Sequence, residues 1–278
     1  MLFKNNDVGA IDVAIDPKNS QVVYASLWNT RRPPWYTYAP SNGPGGGIFK
    51  SVDGGTTWTQ LTVGLPTGII GRSGIAIAAS NPQRLYAVID VTVTSTIPPS
   101  TAPEPPPGRG QAAGAAAGAV GAGAGPGGRG AGRAGGGAGG GAQTDAAAQG
   151  GLYRSDDAGA TWTKMSGDAA LWGRGWYFEK VAVDPKNPDI VYVPNVSVSR
   201  SMDGGKTWLP LRGSPGGDDY HQAWVSPDDS NTMIVASDQG AIISRNATSE
   251  DPTMVGWSSW LNQPTAQIYH VSSDYSFP

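Results

Sequence analysis

The sequence predicts an all-β protein built from a repeated four-stranded unit, and two repeated patterns carry this prediction. The first pattern, Ser-x-Asp-x-Gly-x-Thr-Trp, occurs around Asp53, Asp157 and Asp203, each time after a short apolar run. The second pattern is a strand, an Asn/Pro turn and another strand, and it begins at Val13 and again at Val181. No long segment has apolar residues at the helical period, so we expect few helices.

Each copy of the first pattern is expected to form a β-hairpin. In the first copy, Ile48 and Phe49 lead in as one strand, and residues 57–59 lead out as another. The aspartate accepts hydrogen bonds from its own turn, glycines provide the positive-φ positions, and the tryptophan packs beneath. We therefore interpret the following residues as structural: Ser51, Asp53, Gly55, Trp58, Ser155, Asp157, Gly159, Trp162, Ser201, Asp203, Gly205 and Trp208.

The second pattern occurs four times and supplies the other half of each repeat. Its copies are residues 13–24, a looser copy at 75–86, a close copy at 181–192 and a fourth at 223–235. Joined to the hairpin that follows, each copy gives four antiparallel strands, which is the blade of a β-propeller. The hairpin of the fourth repeat is degenerate, because Asn246 stands where the other repeats have aspartate.

The repeated hairpin is the signature of the Asp box, and the sequence resembles the Asp-box, or BNR-repeat, β-propellers. That superfamily includes sialidases, sortilin-type receptors and the xyloglucan-cleaving glycoside hydrolases of family 74. The resemblance covers the chain outside a Gly/Ala/Pro-rich segment, and it implies a scaffold rather than an activity. The Arg-Ile-Pro stretch of sialidases is missing, and the catalytic acids of family 74 cannot be placed on this chain by motif.

Insertions between the second and third strands divide the chain. We assign residues 1–93 to the end of one blade, blade 1 and the first half of blade 2, and residues 150–278 to the rest of blade 2, blades 3 and 4 and the first strand of another. Residues 94–149 are a low-complexity insertion that we expect to be disordered, because it cannot bury enough apolar surface. Since both ends stop within a repeat, we expect a partial propeller, a fragment of one with about six to eight blades or more. A natural four-bladed protein is the alternative.

Composition restricts the possible partners. The net charge of −3 provides no basic field for nucleic acid, and the few arginines of the insertion do not change this. No apolar run approaches the roughly 20 residues that a membrane-spanning helix requires. The absence of cysteine excludes disulfides, and we expect neither a cofactor nor a metal. A secreted or periplasmic location is implied by the family resemblance alone.

Propeller geometry gathers the segments that lead into the innermost strands on one face, here called the top face. These segments and the connection at residues 28–40 are rich in aromatic residues and arginine, which stack well on sugars or peptides. The candidate ligand-binding residues are therefore Trp28, Arg31, Arg32, Trp35, Tyr36, Arg174, Trp176 and Tyr177. The alternative is that the aromatic side chains only cap the neighbouring blade.

The densest acidic cluster on this face is Asp218, Asp219 and His221. Two carboxylates and an imidazole could hold a cation or act as general acid and base. Glycoside hydrolysis requires two acids about 5–10 Å apart. Because adjacent residues point apart, the second acid would come from another blade, with Asp7 or Asp12 as the candidate. The structural alternative is that Asp219 bonds loop amides and His221 packs.

Equivalent positions on the innermost strands are expected to line a central channel. Aligning these strands on Asp16 gives the set Asp12, Gly74, Lys180, Gln222 and His270. The alternative is that such positions are polar only because the channel holds water.

Two functions are consistent with the sequence. The first is a carbohydrate-active, glycosyl-hydrolase-like propeller that binds a polysaccharide on the top-face loops. The second is a non-catalytic, sortilin-like propeller that binds a protein or peptide there.

Overall fold

The structure is a computed structural model that describes Leu2 and residues 8–30, 44–91, 149–175, 177–213 and 217–260. The strands are β1 (Val8–Ile15), β2 (Val23–Asn29), β3 (Gly47–Ser51), β4 (Thr59–Leu61), β5 (Ser73–Ile77), β6 (Leu85–Ile89), β7 (Gly151–Ser155), β8 (Thr163–Ser166), β9 (Ala182–Val183), β10 (Val191–Pro194), β11 (Val198–Ser201), β12 (Leu209–Arg212), β13 (Tyr220–Val225), β14 (Met233–Ser237) and β15 (Gly240–Ser244). A short helix α1 (Ala169–Trp172) and a 3₁₀ turn (Pro252–Met254) complete these ranges. The predicted disordered insertion and the predicted first strand of a further blade fall almost wholly outside the described residues.

Four antiparallel sheets follow one another in chain order as meanders. Blades 1, 2 and 3 contain β1–β4, β5–β8 and β9–β12, and blade 4 contains β13–β15. In blade 4, an isolated bridge between Ser244 and Trp257 lies where the other blades have a fourth strand. The first strands of neighbouring blades contact each other and are therefore innermost. The predicted all-β fold with four propeller blades is confirmed. Within the described ranges, no helix is long and apolar enough to cross a membrane.

The hydrophobic cores lie between blades. Each blade has a front face, which packs on the following blade, and a back face, which packs on the preceding one. Between blades 1 and 2, the front-face residues Tyr24 and Ile48 are buried with Leu85 and Trp162 from the back of blade 2. Because its sheet is covered on both faces, β6 is buried along its whole length. Apolar burial between sheets therefore holds the blades together.

The Ser-x-Asp turns satisfy their own polar groups. In blade 1, the amide and the hydroxyl of Thr57 donate to the Asp53 carboxylate at 2.8 and 2.6 Å. The Ser51 hydroxyl donates to Asp53 and accepts from the Gly55 amide. The indole of Trp58 donates to the Gly55 carbonyl at 2.9 Å. The same bonds recur in blades 2 and 3. These turns lie at the end of the blades opposite the top face, here called the bottom face.

A backbone carbonyl of the turn also receives side chains from the preceding blade. The Ala158 carbonyl of blade 2 accepts from the Tyr24 hydroxyl at 2.9 Å and from the Lys50 ammonium at 2.8 Å. The equivalent pairs at the next two interfaces are Arg154 with the Gly204 carbonyl and Arg200 with the Ala247 carbonyl. Polar contacts at the bottom face therefore fix the register of each blade on the next.

At the channel, Gly74 permits a close approach between blades 2 and 3. A Cβ atom at this position would lie 1.6 Å from the backbone oxygen of Glu179. No other residue type fits here without a backbone shift, so β5 and the segment leading into β9 stay in contact.

We expect Asp157→Ala to weaken the blade 2 turn. The variant loses acceptors for the amide and hydroxyl of Thr161 and the hydroxyl of Ser155, so the free energy of unfolding should fall by about 1 kcal/mol. These bonds, first the Thr161 hydroxyl, lower the pKa of Asp157 to about 2. The effect is therefore complete above a pH of about 4 and is lost as the pH falls through about 2. Urea denaturation of the variant and the wild type at a series of pH values measures this loss of unfolding free energy. Asp157→Asn should lose less of it than Asp157→Ala. An unfolding free energy of Asp157→Ala equal to that of wild type would contradict the role of the turn.

Gly74→Ala should disrupt the contact between blades 2 and 3. The added methyl group meets the Glu179 carbonyl, so we expect unfolding free energy to fall by about 1–3 kcal/mol. Gly9→Ala is the matched control, because a Cβ atom at Gly9 meets nothing within 4 Å. Equal urea midpoints for the two variants would show that the close approach is not required.

Candidate functional site

The predicted top-face residues lie at one end of the blades. Strand pairing places Val8 opposite Asn29, Ser73 opposite Ile89 and Tyr220 opposite Ser237. The segments that lead into β1, β5 and β13 therefore lie on the same face as the ends of β2, β6 and β14. This face is opposite the Ser-x-Asp turns.

Five side chains from blades 3 and 4 form what we call the rim cluster: Arg174, Tyr177, Phe178, Asp219 and His221. Arg174 Nη1 lies 3.2 Å from Asp219 Oδ1, and its guanidinium lies 5.2 Å from the centre of the Phe178 ring. The His221 ring lies 5.0 Å from the Phe178 ring and 5.3 Å from the Tyr177 ring. The cluster therefore combines a guanidinium, a carboxylate and aromatic rings in edge-on and tilted contact at a blade junction.

Backbone geometry at the rim cluster is unusual. Arg174 and Asp219 have φ angles of 62° and 53°, in the left-handed region that side-chain-bearing residues seldom occupy. These two residues are also the ones that form the ion pair across the blade junction. Non-glycine residues in this region occur preferentially at functional sites, because the surrounding structure must hold them there.

The channel contains an ion pair between two blades. Lys180 Nζ of blade 3 lies 2.7 Å from Asp12 Oδ1 of blade 1, and Asp12 Oδ2 accepts from the Ile75 amide of blade 2 at 3.1 Å. Asp12, Gly74 and Lys180 therefore meet at the centre, as their alignment suggests. Gln222 donates at 3.4 Å to the Ala223 carbonyl instead, and His270 lies outside the described residues.

The four candidate catalytic residues have separate partners. Asp218 accepts from the Gln239 amide at 2.7 Å, and Asp219 pairs with Arg174. His221 Nε2 lies 3.0 Å from Asp238 Oδ1, and Asp12 pairs with Lys180 as described. Within the described part of the chain, no hydrogen bond joins any two of the four candidates. The segment that leads into β13 therefore directs its two acids, Asp218 and Asp219, to different neighbours.

The candidate binding residues divide into three groups. Arg174 and Tyr177 belong to the rim cluster, and Tyr177 is exposed. Trp28 is buried, with the Arg72 guanidinium 5.8 Å from its ring, and Arg72 also donates to the Tyr177 carbonyl at 3.0 Å. The remaining candidates lie outside the described residues: Arg31, Arg32, Trp35, Tyr36 and Trp176.

A buried acid pair beneath the top face was not predicted. Glu179 is buried, and neither of its carboxyl oxygens has a hydrogen-bond partner among the described residues. Burial and the nearby Asp90 raise the pKa of Glu179 well above its usual value, against the opposing effect of Arg72. A Cβ atom at Gly175 would lie 2.1 Å from Glu179 Oε1 and 2.3 Å from Asp90 Cβ, so the Arg174–Gly175 backbone closes directly over both acids. Glu179 thus lies under the rim cluster with its pKa held well above the usual range.

The only sequence signal for this pair is positional. Asp90 directly follows a fully apolar strand, and Glu179 follows an aromatic run at residues 176–178. Such acids at strand boundaries are commonly exposed, so the pattern alone does not indicate burial. Within the described ranges, no group of three or more His, Cys, Asp or Glu side chains could hold a metal ion.

Comparison with solved structures gives the same fold. An ancestral GH74 enzyme matches with a TM-score of 0.50 and 14% identity over 85% of this chain and 25% of that one. The GH74 enzyme of Niastella koreensis matches with a TM-score of 0.46 and 18% identity, covering 86% and 26%. YCF48 bound to D1 peptide matches with a TM-score of 0.41 and 14% identity, covering 87% and 55%. This chain thus spans about a quarter of the GH74 structures, and at these identities the likeness concerns the fold alone.

Sequence comparison adds no assignment. No family model matches the chain, and no curated protein matches it.

Glu179→Gln should make stability less dependent on pH. Because its pKa is raised, Glu179 in the folded protein stays protonated at pH values above about 4.3, where the same side chain in an unfolded chain loses its proton. The folded protein then binds more protons than the unfolded one, so the free energy of unfolding falls as the pH rises from about 4.3. The variant removes this titration and should be more stable than wild type at pH 8.

Urea denaturation between pH 5 and pH 8 gives the slope of unfolding free energy against pH for the wild type and for Glu179→Gln. The exposed Glu250 provides the control variant Glu250→Gln, whose slope should equal that of wild type. A slope unchanged by Glu179→Gln would contradict a neutral buried acid.

Proposed function

We propose that this chain is a carbohydrate-binding β-propeller that holds a polysaccharide across the rim cluster. The observation that carries the proposal is the solvent-accessible arrangement of Arg174, Asp219, Tyr177 and His221 at the junction of blades 3 and 4. The side chains of Arg174 and Asp219 are both partly exposed, and Tyr177 is exposed beside them. A ligand can therefore reach the hydrogen-bonding groups and a ring together.

The charges of this surface support a neutral ligand with many hydroxyl groups. Arg174 pairs with Asp219, and Lys180 pairs with Asp12, so neither sign of charge dominates. A paired guanidinium still has donors to spare, and a paired carboxylate still has lone pairs. Sugar hydroxyls can use both, while a pyranose ring stacks on an aromatic face.

Binding is favoured over hydrolysis by the partners of the acids. Hydrolysis uses a protonated carboxyl and an ionised carboxylate that face the same bond. Asp218, Asp219 and Asp12 instead contact an amide, a guanidinium and an ammonium group. Glu179, whose pKa burial raises well above its usual value, lies beneath the Arg174–Gly175 backbone and is buried from solvent.

The family resemblance supports a β-glucan as the polymer, because the Asp-box superfamily includes xyloglucan-cleaving enzymes. The same resemblance is the basis for proposing a secreted or periplasmic location. Peptide binding at the same face is the alternative, and the experiment below separates the two.

Tyr177→Ala and Arg174→Ala are expected to weaken polysaccharide binding. Each removes one stacking or charge-assisted contact, so we expect the dissociation constant to rise about tenfold. Calorimetric titration with xyloglucan and other β-glucan oligosaccharides measures the change. Arg245→Ala is the matched control, because Arg245 is exposed on blade 4 away from the rim cluster and should leave binding unchanged.

Two outcomes would contradict this proposal. Binding of peptides but of no glucan would favour the alternative function. Release of reducing ends that is lost in Asp218→Asn or Asp219→Asn would show a hydrolase rather than a binding protein.

A further inference from the structure

Glu179 is a buried acid that the proposed function does not use. It is 2% exposed, and neither of its carboxyl oxygens has a hydrogen-bond partner among the described residues. A Cβ atom at Gly175 would lie 2.1 Å from Glu179 Oε1 and 2.7 Å from Asp90 Cγ. Two acids from neighbouring blades therefore lie side by side beneath the Arg174–Gly175 backbone, which we call the covering backbone.

The surroundings of Glu179 make its ionisation costly. Burial raises the pKa of Glu179, Asp90 of blade 2 raises it further, and Arg72 of blade 2 opposes both. The two other cations near Glu179 in the chain already pair across blades: Arg174 with Asp219, and Lys180 with Asp12. Loss of the Glu179 proton therefore places a negative charge in a buried space that already holds an acid.

The covering backbone also positions the rim cluster. Arg174 forms the ion pair with Asp219 at 3.2 Å, and its carbonyl accepts from the amides of Tyr177 and Phe178 at 2.9 and 3.0 Å. Because the φ angle of Arg174 is 62°, this conformation costs free energy and persists through such contacts. The backbone above Glu179 is thus strained, and its release would move Arg174 away from Asp219.

We propose that the proton on Glu179 controls whether the covering backbone is closed. With the proton bound, the backbone lies over the carboxyl group and Arg174 meets Asp219. When the proton is lost to solvent, the backbone lifts so that water reaches the carboxylate, and the ion pair of the rim cluster breaks. The two states differ in affinity for one proton, so pH shifts the balance between them. As a control on ligand binding this rests on the proposed function, but the opening itself requires no ligand.

Trypsin cleavage after Arg174, identified by mass spectrometry, measures the opening, because cleavage follows the population of the open backbone. Opening releases one proton, so its equilibrium constant should rise about tenfold per pH unit above about pH 4.3, up to the raised pKa. Glu179→Gln cannot ionise, so its cleavage rate at each pH corrects for the pH dependence of trypsin. The ratio of wild-type to variant rates should rise roughly tenfold or more between pH 5 and pH 8. Asp90→Asn should reduce this rise.

Cleavage after Arg200 is the control for unfolding, because Arg200 is buried in β11 and becomes accessible when blade 3 unfolds. Opening of the covering backbone exposes little surface, so cleavage after Arg174 should be roughly tenfold faster than after Arg200 and insensitive to about 1 M urea. Equal rates with the same urea dependence at both bonds would overturn the proposal. A ratio of wild-type to Glu179→Gln rates that stays constant from pH 5 to pH 8 would also overturn it. These measurements contain no ligand, so failure of the proposed function would not alter them.

Discussion

The turn carbonyl that accepts from the preceding blade is the contact on which the arrangement of blades depends. The turn around Asp157 is fixed by its own hydrogen bonds, so the Ala158 carbonyl has a defined position. Tyr24 and Lys50 reach this carbonyl from blade 1, and thereby align two sheets that are otherwise held by nondirectional apolar packing. Directional bonds select one register among the many that hydrophobic burial alone would allow.

This alignment at the bottom face determines which residues meet at the top. Arg200 joins blade 3 to blade 4 at the bottom, and Arg174 meets Asp219 at the other end of the same two blades. At the channel, Gly74 allows the Lys180 segment to approach β5, and Lys180 then reaches Asp12. The rim cluster is accordingly a product of how the blades are stacked.

The repeats were sufficient to predict the blades, because each contains its own turn chemistry. Ser51, Asp53 and Trp58 interact within a few residues of one another, so their spacing reports their geometry. The equivalence of Asp12, Gly74 and Lys180 likewise follows from the repeat. Local patterns of this kind can be read without a structure.

The site was less predictable because its contacts are between distant segments. The partner of Asp219 is 45 residues away, and the ion pair requires two left-handed backbone residues that no pattern indicates. Burial and Asp90 of the preceding blade raise the pKa of Glu179, and Trp28 is covered by Arg72 of the next blade. Each depends on how two blades meet, and neither blade's sequence contains that information alone.

Hydrogen–deuterium exchange of Arg200→Met against wild type tests most directly whether contacts at the bottom face hold the rim cluster in place. If they do, faster amide exchange should appear near Ala247 and also at the top face, in residues 174–179 and 217–221. Faster exchange confined to the Ala247 turn, with the top face unchanged, would contradict this coupling.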